Sequence, residues 1–374
     1  MRAHPPSAAL LAVLAGLLAP GAAVAQEDCV RSADPSRWQD AGAPDVGRKP
    51  PVIAAHRGAA ELAPENTMWA YRYAIAYGVE MIEVDIQQLR DGRFVSFHDP
   101  TVDEKTDGSG RIADMDYAEA RKLNVADNEK WKGSKYDPSR MPALEEVLAL
   151  ARDTNTGIYF DTTESVTDLA GLAALAAEYG VVERSAFLTY DPARGEVIKA
   201  AEPRAQLMLS KPEELTSPEA LYGFTERYRW FGSNVTGYTP EQVAAIHDGC
   251  GLVIPNVYQG FLTETEAGDL RHALAIGADA AQVDNPDVAA EVLGEPVPTV
   301  ITAWRLGRRY LVTCLRNAVN RGGLPKKALR VGRRTVTTAK RGCIGVRGGW
   351  GKRIVFAGDG SALPSRRAGR PRTA

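Results

Sequence analysis

The chain has 374 residues, of which 44% are hydrophobic and 25% are charged, and its formal net charge is −2. An ordinary composition over this length supports a large buried core, in one large domain or two small ones. Its four cysteines lack the C-x-x-C spacing of a zinc site. In an oxidising compartment they could pair, although their spacing does not decide how.

The first 25 residues have the pattern of a cleavable export signal. Arg2 supplies a positive charge, residues 8–18 are continuously apolar, and residues 23–25 read Ala-Val-Ala. The apolar run is short for a bilayer span, and a membrane anchor is the alternative interpretation. We therefore expect residues 1–25 to be a signal peptide and the mature protein to be periplasmic or extracellular. The Asp-, Pro-, Ser- and Gly-rich residues 26–50 then form a linker.

From residue 51 onward, short apolar strand patterns alternate with amphipathic helical patterns. The predicted strands are 52–57, 81–86, 94–98, 157–161, 185–190, 205–209, 230–235, 252–255 and 281–284. The predicted helices are 67–77, 143–152, 167–179, 193–201, 239–248 and 264–276. This alternation is typical of a parallel α/β fold and favours a TIM-type (β/α)8 barrel over residues 51–296. A doubly wound open sheet is the alternative.

The alternation breaks once, after the second predicted strand. An Asp91-Gly92 turn signal joins that strand directly to the next one, without room for a helix. The polar, turn-rich residues 100–140 then read as an insertion, with a short helix at 114–123. Because it follows the carboxyl end of a strand, we expect the insertion to overhang the site and to shape substrate access.

Two carboxylates on the second strand predict a metal site. Glu83 and Asp85 are two positions apart, so they face the same side of a strand whose other residues are apolar. Paired carboxylates on a buried face repel each other unless a cation lies between them. Asp161, which ends a later strand, is the natural third ligand. Oxygen ligands of this kind favour Mg²⁺ or Ca²⁺.

Two histidines also end strand patterns, where α/β enzymes place their sites. His56 and His98 suit a general acid–base pair, because imidazole exchanges protons near neutral pH. Arg57 supplies a guanidinium that can bind phosphate oxygens, and Gly58 permits a close backbone approach. Together with the carboxylates, these residues have the chemistry for cleaving a phosphodiester. Either histidine alone could equally be a buried packing residue.

Residues 297–374 form a basic, glycine-rich segment with 19 Lys and Arg residues and a single acid, Asp359. No amphipathic helical pattern continues into it. We expect this tail to be disordered, or to be the artefact of a shifted reading frame. A weak contact with an anionic surface is the alternative, and we expect no nucleic-acid binding from an exported chain.

These motifs resemble the signature of the glycerophosphodiester phosphodiesterase family. The matching segments are His56-Arg57-Gly58, Pro64-Glu65-Asn66-Thr67, Glu83-Val84-Asp85, Asp91-Gly92 and His98-Asp99, followed by 108–112, 141–148 and 277–286. The resemblance covers about residues 51–293.

The resemblance implies a TIM-type barrel with a divalent metal, Ca²⁺ or Mg²⁺, bound by Glu83, Asp85 and Asp161. It also implies that His56 and His98 are the acid and the base and that Arg57 binds the phosphate. The implied substrate is a glycerophosphodiester. Its glycerol 2-hydroxyl would attack phosphorus, and water would open the cyclic phosphate to give glycerol 3-phosphate.

The chain departs from the family pattern at three places. Thr163 stands where the family usually has a phosphate-binding lysine, and Glu104-Lys105-Thr106 replaces Arg-Thr-Thr. A tryptophan expected in the strand 252–255 is missing. These changes leave the acid–base pair and the metal ligands intact, but they bear on substrate preference and rate. Two alternatives stay open: a related phospholipase acting on lysophospholipid or inositol lipid, and a catalytically weakened barrel that binds phosphodiesters.

Overall fold

The computed structural model describes most of the chain after its first 51 residues. The described ranges are 52–211, 215–258, 262–294, 299–306, 310–317, 327–331, 333–339, 343–347, 354–356 and 365–367. The predicted signal peptide and linker lie outside these residues. Within them, none of the helices has both the length and the apolarity that crossing a bilayer requires.

Eight parallel strands close into a barrel, which confirms the predicted TIM-type fold. They are β1 (Val52–Ala55), β2 (Met81–Gln88), β4 (Gly157–Thr162), β5 (Ala186–Thr189), β6 (Gln206–Ser210), β7 (Trp230–Asn234), β8 (Leu252–Asn256) and β9 (Ala280–Val283). The barrel is closed because β1 pairs with β2 on one side and with β9 on the other. A ninth strand, β3 (Phe94–Ser96), pairs antiparallel with the outer part of β2.

Helices follow most of the barrel strands. They are α1 (Met68–Ala76), α2 (Tyr117–Ala120), α3 (Leu144–Thr154), α4 (Leu169–Glu178), α5 (Pro192–Ala201), α6 (Pro218–Phe224), α7 (Pro240–Asp248), α8 (Glu266–Ala275) and α9 (Pro286–Leu293). α6 and α9 lie outside the helices predicted from the sequence. Side-chain oxygens cap the amino-terminal ends of several helices. Thr67 accepts a hydrogen bond from the Ala70 amide, and Thr239 forms a capping box with Gln242.

The barrel interior is filled by one set of alternating side chains from all eight strands. These are Val52, Ala54, Met81, Tyr159, Ala186, Leu188, Met208, Trp230, Leu252, Ile254 and Ala280. The intervening side chains of the strands pack outward against the helices in a second, larger core. Because the strand period is two, the residues two and four positions beyond Met81 and two beyond Tyr159 also face the interior, at its carboxyl-terminal mouth.

The predicted insertion packs as a small unit of its own beside β3. Its buried side chains include Val102, Ile112 and Val125, which form a cluster with Val95 and Phe97. The chain forms a short 3-10 turn (Ile112–Asp114) and then α2, in place of the single helix predicted at 114–123. The insertion thus has a fixed conformation beside the mouth of the barrel.

The described parts of the tail form strands, which the sequence patterns did not predict. They are β10 (Thr299–Leu306), β11 (Tyr310–Asn317), β12 (Ala328–Val331), β13 (Arg334–Thr337), β14 (Cys343–Arg347), β15 (Ile354–Phe356) and β16 (Ser365–Arg367). They pair in two antiparallel sheets, ordered β10-β11-β14 and β13-β12-β15-β16. Alternate apolar residues such as Leu329 and Val331, or Ile354 and Phe356, are buried together. Apolar residues at every second position indicate a strand, so a test for helical amphipathicity does not detect them.

Candidate functional site

Three carboxylates meet at the mouth of the barrel. Glu83 and Asp85 lie on β2, and the parallel register places Asp161 of β4 directly beside Asp85. One oxygen from each carboxylate lies within 4.8 Å of the others. Glu83 and Asp85 are each only 1% exposed. The structure therefore brings together the three residues that the sequence predicts as metal ligands.

This carboxylate cluster is electrostatically strained without a cation. Burial, together with repulsion from Asp85 and Asp161, raises the pKa of Glu83 well above its usual range. Burial and the neighbouring Asp85 likewise raise the pKa of Asp161, to about 7. A divalent cation would remove this repulsion, and three clustered carboxylates are the hard oxygen donors that Mg²⁺ and Ca²⁺ prefer. The residues present thus fit a divalent metal ion.

Arg57 lies against this cluster because of the turn that follows β1. Its backbone N–H donates to Glu83 Oε2 at 2.5 Å, and its Nε lies 3.2 Å from Asp85 Oδ2 as an ion pair. Its Nη1 donates to Glu65 Oε1 at 3.1 Å. Burial opposes the charge of Arg57, but the attraction of Asp85 and Glu65 outweighs burial and raises its pKa. The guanidinium therefore stays charged within the mouth.

Asn66 supports Asp85 from the same loop. Its Nδ2 donates to Asp85 Oδ2 at 2.6 Å. Its Oδ1 accepts hydrogen bonds from the hydroxyls of Tyr71 and Ser96, at 2.9 and 2.8 Å. These contacts determine which way the amide is oriented, since the oxygen must face the hydroxyls and the NH₂ the carboxylate. Asn66 thus orients one of the predicted metal ligands.

His56 is held by residues from the far end of the barrel sequence. Its Nδ1 lies 2.7 Å from Asp284 Oδ1, at the carboxyl end of β9. Its ring stacks on Tyr258, with ring centroids 4.0 Å apart and planes inclined by 8°. Pairing Nδ1 with a carboxylate leaves Nε2 as the nitrogen that can exchange a proton.

His98 has a similar arrangement on the other side of the site. Its Nδ1 lies 2.5 Å from Asp99 Oδ1, and Gln87 Nε2 donates to the His98 backbone oxygen at 2.9 Å. Burial works against the charge of Asp99, but the bond to His98 and the nearby Lys105 lower its pKa. At 41% exposure, the His98 side chain is far more open to solvent than His56, at 11%.

Tyr190 and Thr163 occupy the part of the mouth around Asp161. The Tyr190 hydroxyl donates to Asp161 Oδ2 at 3.2 Å. The Thr163 hydroxyl donates to the Ile86 backbone oxygen at 2.8 Å and so links β4 to β2. Thr163 therefore links the two strands. It is uncharged, whereas the family resemblance implies a phosphate-binding lysine at this position.

Several residues at the site lie outside the predicted set, among them Glu65, Lys105, Tyr258 and Asp284. The sequence held a signal for Asp284, because it is the charged last residue of a predicted barrel strand, as His56 and His98 are near the ends of theirs. Lys105 carries none, since it lies within the irregular insertion.

Comparisons with known proteins agree with this arrangement. Residues 56–216 match the model of the Glycerophosphoryl diester phosphodiesterase family. Glycerophosphodiester phosphodiesterase 1 of Mus musculus is 40% identical over 119 residues, which are 32% of this chain and 35% of that protein. The chain thus spans well under half the length of this relative. A glycerophosphodiester phosphodiesterase of Caldanaerobacter subterraneus is 27% identical over 242 residues, 63% of this chain and 95% of the relative.

Solved structures show the same fold. A glycerophosphodiester phosphodiesterase of Agrobacterium tumefaciens has a TM-score of 0.55 and 22% identity, and the likeness covers 64% of this chain and 99% of that one. An Oleispira antarctica phosphodiesterase in complex with sn-glycerol-3-phosphate also has a TM-score of 0.55 and 22% identity, covering 65% and 96%. Family model, relatives and fold agree in one respect: the barrel of this chain is similar to those of glycerophosphoryl diester phosphodiesterases.

Proposed function

We propose that the protein hydrolyses glycerophosphodiesters to glycerol 3-phosphate and an alcohol, using a divalent metal ion. The observation that carries this proposal is the meeting of three buried carboxylates, an arginine and two Asp-paired histidines at one barrel mouth. The family model that residues 56–216 match and the names of the relatives point to the same reaction. The Oleispira protein, solved with its product sn-glycerol-3-phosphate, supports the identity of the product.

The two histidines divide the proton transfers. In the first step one imidazole accepts the proton of the glycerol 2-hydroxyl as its oxygen bonds to phosphorus, and the other protonates the departing alkoxide. In the second step the roles reverse, as water opens the cyclic phosphate. Both rings are paired to carboxylates through Nδ1, so each presents Nε2 to the substrate.

The remaining charged residues bind and orient the substrate. Glu83, Asp85 and Asp161 would hold the cation, Mg²⁺ or Ca²⁺, which when bound supplies positive charge against the developing negative charge of the phosphoryl group. Arg57 would bind a phosphoryl oxygen, held in place by Asp85 and Glu65.

Release of glycerol 3-phosphate from a panel of glycerophosphodiesters, with Mg²⁺, Ca²⁺ or EDTA, tests this proposal. We expect activity that EDTA abolishes and that His56→Ala and His98→Ala each lower by about 10²–10⁴-fold, the usual contribution of a general acid or base. His272→Ala, on α8, is the matched control and should leave activity unchanged. Metal binding without turnover of any diester would contradict the proposal, and lysophospholipids added to the panel distinguish a phospholipase.

We also propose that the protein is exported. The export pattern at residues 1–25 supports this, and so do the disulfides that contain Cys250 and Cys343, since such bonds persist in oxidising compartments. Amino-terminal sequencing of the protein from the periplasm or medium should find Gln26 first. Recovery of the unprocessed chain from the cytoplasm alone would refute export. The basic tail would add a weak attraction to anionic surfaces, which cosedimentation with anionic vesicles at low salt would reveal.

A further inference from the structure

One cation of the mouth comes from the insertion. Lys105 reaches back over the site, and its Nζ lies 2.5 Å from Glu65 Oε1 and 3.5 Å from Asp99 Oδ1. Its side chain is 26% exposed. The ammonium group is thus held among the residues that surround the proposed reaction centre.

Both carboxylate oxygens that Lys105 contacts are shared with proposed functional residues. The same Glu65 oxygen accepts from Arg57 Nη1 at 3.1 Å, and the same Asp99 oxygen lies 2.5 Å from His98 Nδ1. Two nitrogens that contact one oxygen atom cannot be farther apart than the sum of the two distances. Lys105 Nζ is therefore near both the guanidinium of Arg57 and the imidazole of His98, and the Lys105 and Arg57 cations are close enough to contact one phosphate group.

The Lys105 ion pairs are not needed to attach the insertion to the barrel, because other residues of the insertion already make such contacts. Lys130 Nζ donates to Glu61 Oε1 at 2.7 Å and to the Ala60 backbone oxygen at 3.2 Å. The Tyr136 hydroxyl donates to the Leu62 backbone oxygen at 2.8 Å. These bonds attach the insertion to the loop after β1 without involving Lys105, His98 or Arg57.

We propose that Lys105 is a second phosphate-binding residue of this site. It would share the non-bridging oxygens of the diester with Arg57, while Glu65 holds the two cations together before the substrate enters. The inference rests on the proposed diester hydrolysis and adds to it. It makes the insertion a part of the substrate-binding site.

Affinity for sn-glycerol 3-phosphate tests this proposal without requiring turnover. Calorimetric titration with Mg²⁺ present should show Lys105→Met binding roughly tenfold or more weakly than the unaltered protein, since charge-assisted bonds to phosphate are among the strongest polar contacts. Lys105→Arg, which keeps the charge, should restore most of the affinity, an outcome that a purely structural role would not produce. Lys130→Met is the matched control, with the same charge change in the same insertion, and should bind as the unaltered protein does.

Equal affinity in Lys105→Met and the unaltered protein would overturn the proposal, and so would an equal loss in the two methionine variants. Absence of binding to the unaltered protein would also overturn it. The kcat/KM for the best diester, measured in parallel, separates this inference from the proposed function. Weaker binding in Lys105→Met, in a protein that turns over no diester, would support the binding role of Lys105 and refute the hydrolytic function.

Discussion

The pairing of His56 with Asp284 offers a direct test of the proposed acid–base chemistry. Asp284→Asn removes the negative charge from the Nδ1 side of the imidazole and keeps the size of the side chain. Both side chains are largely shielded from solvent, at 11% and 19% exposure. The change therefore removes the ionised partner that orients His56, with little effect on packing.

The magnitude follows from the 2.7 Å contact between His56 Nδ1 and Asp284 Oδ1. A hydrogen bond to a charged group is worth about 1.5–3 kcal/mol. If the bond acts only when His56 carries a proton in the transition state, its whole value raises the barrier. At about 1.4 kcal/mol per tenfold change in rate, kcat should fall roughly 10- to 150-fold.

The chain offers a matched control on the same strand. Asp279 directly precedes β9 and Asp284 directly follows it, so they lie at opposite ends of the barrel. Asp279 also pairs with a histidine, His247, at 2.9 Å, and accepts from the Val253 amide at 2.7 Å. Asp279→Asn should therefore lower stability and leave kcat unchanged.

The control variant also has a signature in pH. The hydrogen bond that the His247 ring donates to Asp279 raises the pKa of His247 above its usual value of 6.5. A raised folded-state pKa contributes stability that is present below pH 6.5 and is lost as pH rises through the raised value. Loss of the Asp279 charge should thus reduce the free energy of unfolding more at pH 5 than at pH 8, as measured by urea unfolding.

Rates of glycerol 3-phosphate release and urea midpoints of the two variants, measured side by side, give the answer. An Asp284→Asn enzyme with the kcat of the unaltered protein would refute the role of Asp284 in holding His56. An equal loss of kcat in Asp279→Asn would show that the effect comes from general damage to β9.

Two other predictions concern the metal and the turn after β1. Because the pKa of Asp161 is raised to about 7 by burial and by Asp85, the metal-free protein should lose stability as pH rises from about 4 to about 7. The increase in melting temperature on replacing EDTA with Ca²⁺ or Mg²⁺ should therefore be larger at pH 8 than at pH 5. An equal increase at the two pH values would count against the metal site. Gly58 and Gly92 both have positive φ, but a Cβ at Gly58 would lie 2.7 Å from the Ala70 carbonyl carbon, whereas one at Gly92 meets nothing within 4 Å. Both alanine variants should lose about 1–2 kcal/mol to backbone strain, and Gly58→Ala should lose a further 1–3 kcal/mol to crowding; equal urea midpoints would contradict the clash.

The carboxylate cluster that we propose as the metal site could be predicted from the sequence, because local rules place its three residues. The period of two places Glu83 and Asp85 on one face of β2, and Asp161 ends a neighbouring parallel strand. The barrel was predictable for a similar reason, since alternating strand and helix patterns leave few alternatives.

The partners of the histidines could not be predicted in the same way. His56 and Asp284 are separated by 228 positions in sequence and meet only because β1 closes the barrel against β9. Tyr258 and Lys105 belong to irregular segments. The path of such a segment depends on tertiary packing, and its sequence has no periodic pattern that predicts where its side chains lie. The described strands of the tail were missed because their pattern has the period of a strand, and apolar residues at alternate positions leave no helical face.

The turn after β1 shows how local conformation and function are coupled here. Arg57 and Asn66 both have left-handed φ values, 50° and 54°, which cost about 1–3 kcal/mol each for residues other than glycine. The Arg57 amide bonds to Glu83, and the Asn66 side chain bonds to Asp85, so the two unusual conformations act on two proposed metal ligands. These bonds offset the backbone strain, and they require ionised acceptors to reach full strength. Cation binding, which favours ionised Glu83 and Asp85, should therefore stabilise this loop together with the carboxylate cluster.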